Sequence, residues 1–151
     1  MPGIIVGVDG SDHSRLALAW AMREAAQHHA PLTVMTVRPA PVRPATRIFW
    51  AVPELPEDSH NLEFARKAVQ EYADKVAKEI GETVPEVTVS VAVGDPAEEL
   101  VKASRDADML VVGSRGGGGF ARLLLGSVSS QVMHHAECPV VAIPGSSRHR
   151  R

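Results

Sequence analysis

Five short runs rich in β-branched residues recur along the chain, at Ile4 to Val8, Leu32 to Val37, Val87 to Val93, Met109 to Val112 and Val140 to Ile143. Most lack the apolar/polar alternation of a strand with one wet face, which marks strands covered on both sides. Helical patterns lie between most of them. The chain is therefore expected to fold as α/β: a doubly wound, five-stranded parallel sheet in a three-layer α/β/α sandwich of the Rossmann-like kind.

The connecting segments carry helix signals of their own. An Ala- and Leu-rich stretch predicts a first helix from about His13 to His28. Between Asn61 and Ile80, the residues Leu62, Ala65, Val69, Tyr72, Val76 and Ile80 repeat at three and four and predict one buried stripe, stopped by Gly81. Asp95-Pro96-Ala97-Glu98 reads as the start of a third helix, with an N-cap carboxylate, a proline in the first turn and a Glu three residues on. A fourth helix is expected to open at Gly126-Ser127.

Between Arg38 and Ser59 this pattern lapses into a Pro-rich segment, with prolines at 39, 41, 44, 53 and 56, longer than an ordinary connection. It carries Ile48, Phe49 and Trp50. An apolar triplet on a loop is expected to be covered by a ligand, a subunit or the body of the domain. No internal repeat is visible, and a single domain over 1–145 followed by a basic disordered tail over 146–151 is the simplest division.

With 151 residues, of which 44% are hydrophobic, the chain is long enough for one real core. Sixteen Lys and Arg against eighteen Asp and Glu give a net charge of -2, so whole-molecule attraction to nucleic acid or acidic membrane is not expected. Cys138 is the only cysteine, which excludes an internal disulfide framework and suits a reducing compartment. With no apolar run of spanning length and no export signal at Met1-Pro2-Gly3, a cytoplasmic protein is expected.

Ligands of parallel α/β sheets settle beyond the carboxyl ends of the strands, and the unusual residues fall there. Asp9-Gly10-Ser11 follows the first strand, Val37 ends the second, Gly94-Asp95 follows the third, and Gly113-Ser114-Arg115-Gly116-Gly117-Gly118-Gly119 follows the fourth. So many glycines leave backbone amides unobstructed, able to turn inward around an anion. Phosphate is the natural candidate. The loop runs on to Gly126-Ser127-Val128-Ser129, where a helix start adds further amides and a favourable dipole. Ser127 could donate to a phosphate oxygen or cap the helix. Asp9 could meet a ribose hydroxyl, meet a magnesium ion carried by the phosphates, or cap the first helix. Arg115 could screen phosphate charge or stay solvated.

Several other constellations fail on their chemistry. A Walker loop needs Lys-Ser or Lys-Thr after its last glycine, where this chain has Phe120. Gly116 to Ala121 satisfies a dinucleotide-type glycine pattern, but such a match arises readily in a glycine run and comes late in the chain. Asp9 to Ser14 faintly echoes the loop of ATP pyrophosphatases, with His13 where that loop requires an aspartate. The pairs His28-His29 and His134-His135 lack an i, i+4 partner and suit helix ends better than metal. Cys138, before Pro139 and an apolar run, reads as a packed thiol.

Taken together, Ile4 to Ser11, Gly94-Asp95-Pro96-Ala97 and Val111 to Gly116 resemble the universal stress proteins, specifically their ATP-binding branch, over essentially the whole chain. That branch's signature of Gly, two residues, Gly, nine residues, then Gly-Ser is met by Gly113, Gly116, Gly126 and Ser127. The resemblance implies a strand order of 3-2-1-4-5 in an adenine nucleotide alpha hydrolase-like sheet. It implies ATP, or AMP or another adenine nucleotide, as ligand, with Mg. Asp9 would border the ribose and touch the metal only through Mg-ATP, and the backbone of Val37 would meet the adenine. Gly113, Ser114, Arg115, Gly116, Gly119, Ser127, Val128 and Ser129 would line the phosphates, with Gly10, Ser11, Gly94, Gly118 and Gly126 on the same rim. It further implies a homodimer through the last strand, Val140 to Ile143, as part of a nucleotide-dependent stress-response module. A slow ATPase or phosphotransferase using Mg-ATP and a structural dimer without nucleotide are the competing functions. No water-activating base is evident for the former.

Overall fold

A computed structural model describes residues 3–39, 59–115 and 125–145. Strands β1 (Ile4–Gly7), β2 (Leu32–Arg38), β3 (Val87–Val93), β4 (Met109–Gly113) and β5 (Val140–Ile143) alternate with helices α1 (Asp12–His28), α2 (Ser59–Ile80), α3 (Pro96–Ser104) and α4 (Ser127–His135). The strands form one sheet of order β3-β2-β1-β4-β5, parallel throughout. Register is set by apolar pairs such as Val6 opposite Val34 on one side and Val111 on the other. This is the doubly wound α/β sandwich expected from the pattern of runs.

Because successive side chains on a strand point to opposite faces, neighbouring residues fall into different cores. Ile4, Val6, Val34 and Val111 join Leu18, Met22 and Val76 beneath α1 and α2. Met35, Leu110 and Val112 instead join Leu100 and Val132 beneath α3 and α4. The sheet is thus the middle of three layers.

The expected helix ends are largely where local chemistry puts them. Asp95 caps α3, its Oδ2 accepting from the Glu98 amide at 3.0 Å with Pro96 in the first turn. The Glu98 carboxylate lies 3.6 Å from Lys102 on the next turn. Gly81 adopts φ +71°, closing α2 in the left-handed region that a side chain would disfavour. His29 ends α1 in the same region, at φ 51°.

The predicted stripe on α2 is buried only in its later turns. Ala73 and Val76 are inside, whereas Leu62 is exposed. Leu62, Glu63 and Arg66 instead border a hollow beside Val91 of β3. The Pro-rich residues 40–58, including Ile48, Phe49 and Trp50, and the basic tail from 146 onward lie outside the described residues.

Candidate functional site

The site follows from a divergence in chain direction. β1 and β4 are adjacent in the sheet, yet β1 feeds α1 on one face while β4 leads to α4 on the other. Adjacent connections that part in this way leave a crevice at the carboxyl ends of the strands. A cavity of about 120 Å³ occupies it, lined by Gly7, Val8, Asp9 and Ser14 from the β1–α1 side and by Met35 and Val37 from β2. Pro96 and Leu100 of α3, Val112, Gly113 and Arg115 of β4 and its end, and Val128 and Ser129 of α4 complete the wall. Six of the sequence-predicted residues meet here: Asp9, Val37, Gly113, Arg115, Val128 and Ser129.

Two glycines keep the crevice open and its walls close. A Cβ on Gly113 would come within 2.8–2.9 Å of the His13 backbone and Cβ, so β4 ends in direct contact with the start of α1 only because that atom is missing. A Cβ on Gly7 would stand 3.2 Å from both methyls of Leu100. The lining is mainly aliphatic, contributed by Val8, Met35, Val37, Leu100, Val112 and Val128, with Asp9 and Arg115 as its charged members. An apolar slot with a few charged groups at its mouth suits a flat heterocycle joined to an anion.

At the slot's far wall, the backbone of β2 presents polar groups. The Met35 carbonyl accepts from the Val8 amide at 2.9 Å, whereas the Arg38 carbonyl faces β3 and accepts from the Gly94 amide at 2.8 Å. Strand alternation therefore turns the Val37 carbonyl toward the β1 side. There β1 has ended and the chain has turned away through Gly10, at φ +83°.

On the β1 side a compact set of hydrogen bonds shapes the turn. Ser11 is the N-cap of α1, its Oγ accepting from the Ser14 amide at 3.2 Å. Asp9 does not fill that role; its Oδ1 accepts from the Ser11 amide at 2.9 Å, and its own amide donates to Ser14 Oγ at 3.2 Å. The carboxylate stands at the exposed mouth of the cavity.

On the β4 side, the two ends of the glycine loop are clasped. The Ser114 carbonyl accepts from the Gly126 amide at 2.6 Å and from Ser129 Oγ at 2.8 Å, while the Ser114 amide donates to the Ile143 carbonyl at 2.8 Å. Ser129 Oγ also lies 3.1 Å from the Gly126 carbonyl. Its single proton is thus directed to backbone carbonyls, so this hydroxyl holds the loop's ends and faces away from a donor role toward ligand. Gly126 is the N-cap of α4, without a side-chain cap, and Ser127 is the exposed first helical residue. The capping alternative for Ser127 is thereby removed. Gly116, Gly118 and Gly119 lie outside the described residues.

Gly94 stands apart from this slot. Its φ of +148° and the Glu99 carboxylate, 2.9 Å from where a Cβ would sit, make it a structural hinge between β3 and α3. Sequence reasoning missed Gly7, Val8, Ser14, Met35, Pro96, Leu100 and Val112 as lining. Met35 lies two residues before Val37 on the same strand face, and Leu100 one helical turn after Pro96, so both were within reach of periodicity once either neighbour was suspected.

Elsewhere the titratable groups behave structurally. Burial, reinforced by the Asp108 carboxylate, pushes the Cys138 thiol above its usual range, as a packed thiol should be. Among the described residues no group of three or more His, Cys, Asp or Glu side chains could hold a metal ion. No helix among the described residues is long and apolar enough to cross a membrane.

A parallel sheet of this order with a crevice between β1 and β4 defines the class: a Rossmann-like α/β domain of the kind that binds small ligands at its strand ends. Within that class, the chain belongs to the universal stress protein family, whose family-wide profile matches residues 2–144. A universal stress protein of Mycolicibacterium smegmatis is 40% identical over 149 residues, covering 97% of this chain and 49% of the relative. The chain thus spans about half the length of the curated relatives it matches. Among solved structures, the universal stress protein UspA from Lactobacillus plantarum superposes with a TM-score of 0.73 at 26% identity, covering 93% of this chain and 95% of its own. A universal stress protein solved in complex with cAMP is 30% identical, with a TM-score of 0.62 and coverage of 93% and 94%.

Proposed function

We propose that this domain binds an adenine nucleotide, ATP in particular, and acts as a nucleotide-dependent stress-response module. The observation that carries this reading is the aliphatic slot between β1 and β4, with Asp9 and Arg115 at its mouth and the Val37 carbonyl on its wall. Adenine enters the slot, ribose meets Asp9, and the phosphates reach toward Arg115 and the start of α4. The signature spacing of Gly113, Gly116, Gly126 and Ser127 favours a polyphosphate, and the cAMP bound to a 30% identical relative supports the adenine moiety. Mg would accompany the phosphates, with Asp9 the acidic residue that lines the slot.

Occupancy acts by population shift, favouring whichever arrangement of the site's loops binds nucleotide better. β5 is an edge strand of the sheet, with all four residues half-buried. That free edge supports pairing with a second copy, which sedimentation with and without ATP would read as a doubling of mass.

Calorimetric titration with Mg-ATP tests the reading. Saturable binding is expected, and Arg115→Ala should weaken ATP more than adenosine, because the guanidinium lies on the phosphate side. A flat titration of folded protein contradicts it. Mass spectrometry of ligand released from purified protein then separates ATP from AMP or a cyclic nucleotide.

A further inference from the structure

We infer that Ser14 is a positioning residue of the site, holding the turn that aims the Asp9 carboxylate at the ribose. The inference rests on the nucleotide reading and adds to it a residue that neither touches phosphate nor caps a helix.

Four residues, Val8 to Ser11, connect β1 to α1, and Asp9 is the second of them. Its exposed carboxylate accepts from the Ser11 amide, so its direction follows the turn beneath it. Ser14 supplies that anchor from the first turn of α1. Its hydroxyl accepts from the Asp9 amide at 3.2 Å and donates its one proton to the Ser11 carbonyl at 3.0 Å, so both bonds lie on the turn. The Ser14 amide meets Ser11 Oγ at 3.2 Å, and the Ser11 amide in turn donates to Asp9 Oδ1 at 2.9 Å. One side chain therefore links the backbone of Asp9 to the peptide that orients the Asp9 carboxylate.

Burial makes this link specific. Ser14 is 4% exposed although it borders the cavity, so its hydroxyl is committed to the turn. Alanine would leave the Asp9 amide and the Ser11 carbonyl without that partner. The turn passes through Gly10, at φ +83° with no atom within 4 Å of a Cβ position, so no side-chain packing at that residue adds to these hydrogen bonds.

The test compares ATP with 2′,3′-dideoxy-ATP, each with Mg, by calorimetry on the wild-type protein and on Ser14→Ala and Ser14→Thr. A hydroxyl-to-carboxylate bond of typical strength gives wild type a preference for ATP of about tenfold or more. Ser14→Ala should bring that ratio toward one by weakening ATP more than dideoxy-ATP; Ser14→Thr, which keeps the hydroxyl, should restore most of it. If Ser14→Ala does not fold, Ser14→Cys, of similar volume and weak hydrogen bonding, carries the same expectation.

A ratio unchanged in the alanine variant overturns the inference. So does an equal loss for both nucleotides, which would make Ser14 a residue of general packing. Wild type binding both nucleotides equally removes Asp9 from the ribose and the inference with it, leaving nucleotide binding intact. Wild type binding neither overturns the nucleotide reading itself.

Discussion

The two faces of the sheet are built to different specifications. Beneath α1 and α2, of 17 and 22 residues, fourteen described residues form a closed core with Ala17, Leu18 and Val6 fully buried. Beneath α3 and α4, of nine residues each, the corresponding cluster has six, and the cavity opens beside it. Short helices leave the carboxyl ends of β1 and β4 uncovered on that side. The first face supplies stability and the second supplies room, so substitutions of like chemistry should have unlike effects on the two.

The largest contrast is between two leucines. Leu18→Ala should cost about 3–4 kcal/mol, because a fully enclosed site cannot collapse into the space left. Leu100→Ala should cost about 1 kcal/mol less, since this side chain already borders a cavity, while nucleotide affinity falls. Urea denaturation of both variants measures the difference; equal costs would erase the distinction between the faces.

Next in size is Gly113→Ala, at the seam between them. Its methyl would press on the His13 backbone at 2.8–2.9 Å, so α1 must move, at a cost of about 1–3 kcal/mol. Thermal unfolding reads it. Lost binding in this variant therefore reports the seam as much as the ligand contact. Ser129→Ala follows, removing one of two donors to the Ser114 carbonyl for about 1 kcal/mol. Amide exchange should quicken at Gly126 and hardly change in α1.

The smallest effect is electrostatic. Tyr72 is the only tyrosine, and its hydroxyl sits above the ordinary tyrosine range. Burial is the main cause, Arg15 opposes it, and the Asp12, Asp9 and Glu79 carboxylates add to it. The folded chain then holds this proton more tightly than the unfolded one, so the contribution to stability is complete below the ordinary tyrosine range. It declines as pH rises through the folded midpoint. An ultraviolet titration should find that raised midpoint, and Asp9→Asn should lower it. An unmoved midpoint would separate Asp9 from the α1–α2 face.

Much of this architecture was legible in the residues because the signals were local. The β-branched runs at Val87–Val93 and Val140–Ile143 coincide with β3 and β5, and Asp95 caps α3 as its carboxylate and the following proline demand. What escaped was non-local. Leu62 fits the α2 stripe by spacing yet is exposed, because periodicity gives the face a residue lies on and not what packs over it. Ser127 looked able to cap α4, but the turn places Gly126 at the cap and Ser127 one residue inside. The site was half visible: glycines and Asp9 announce themselves by type and Ser129 entered through the family resemblance, whereas Ser14, and the part Ser129 plays in clasping the loop, depend on backbone partners that only the fold supplies.

The central claim is that the crevice between β1 and β4 receives an adenine nucleotide. Backbone amide resonances recorded during titration with Mg-ATP test it most directly. The account predicts saturable shifts concentrated at Val8, Asp9, Val37, Gly113, Arg115 and Val128, with the amides of α2 and β3 unmoved. Absence of shifts at saturating nucleotide, or shifts gathered away from these strand ends, would contradict it.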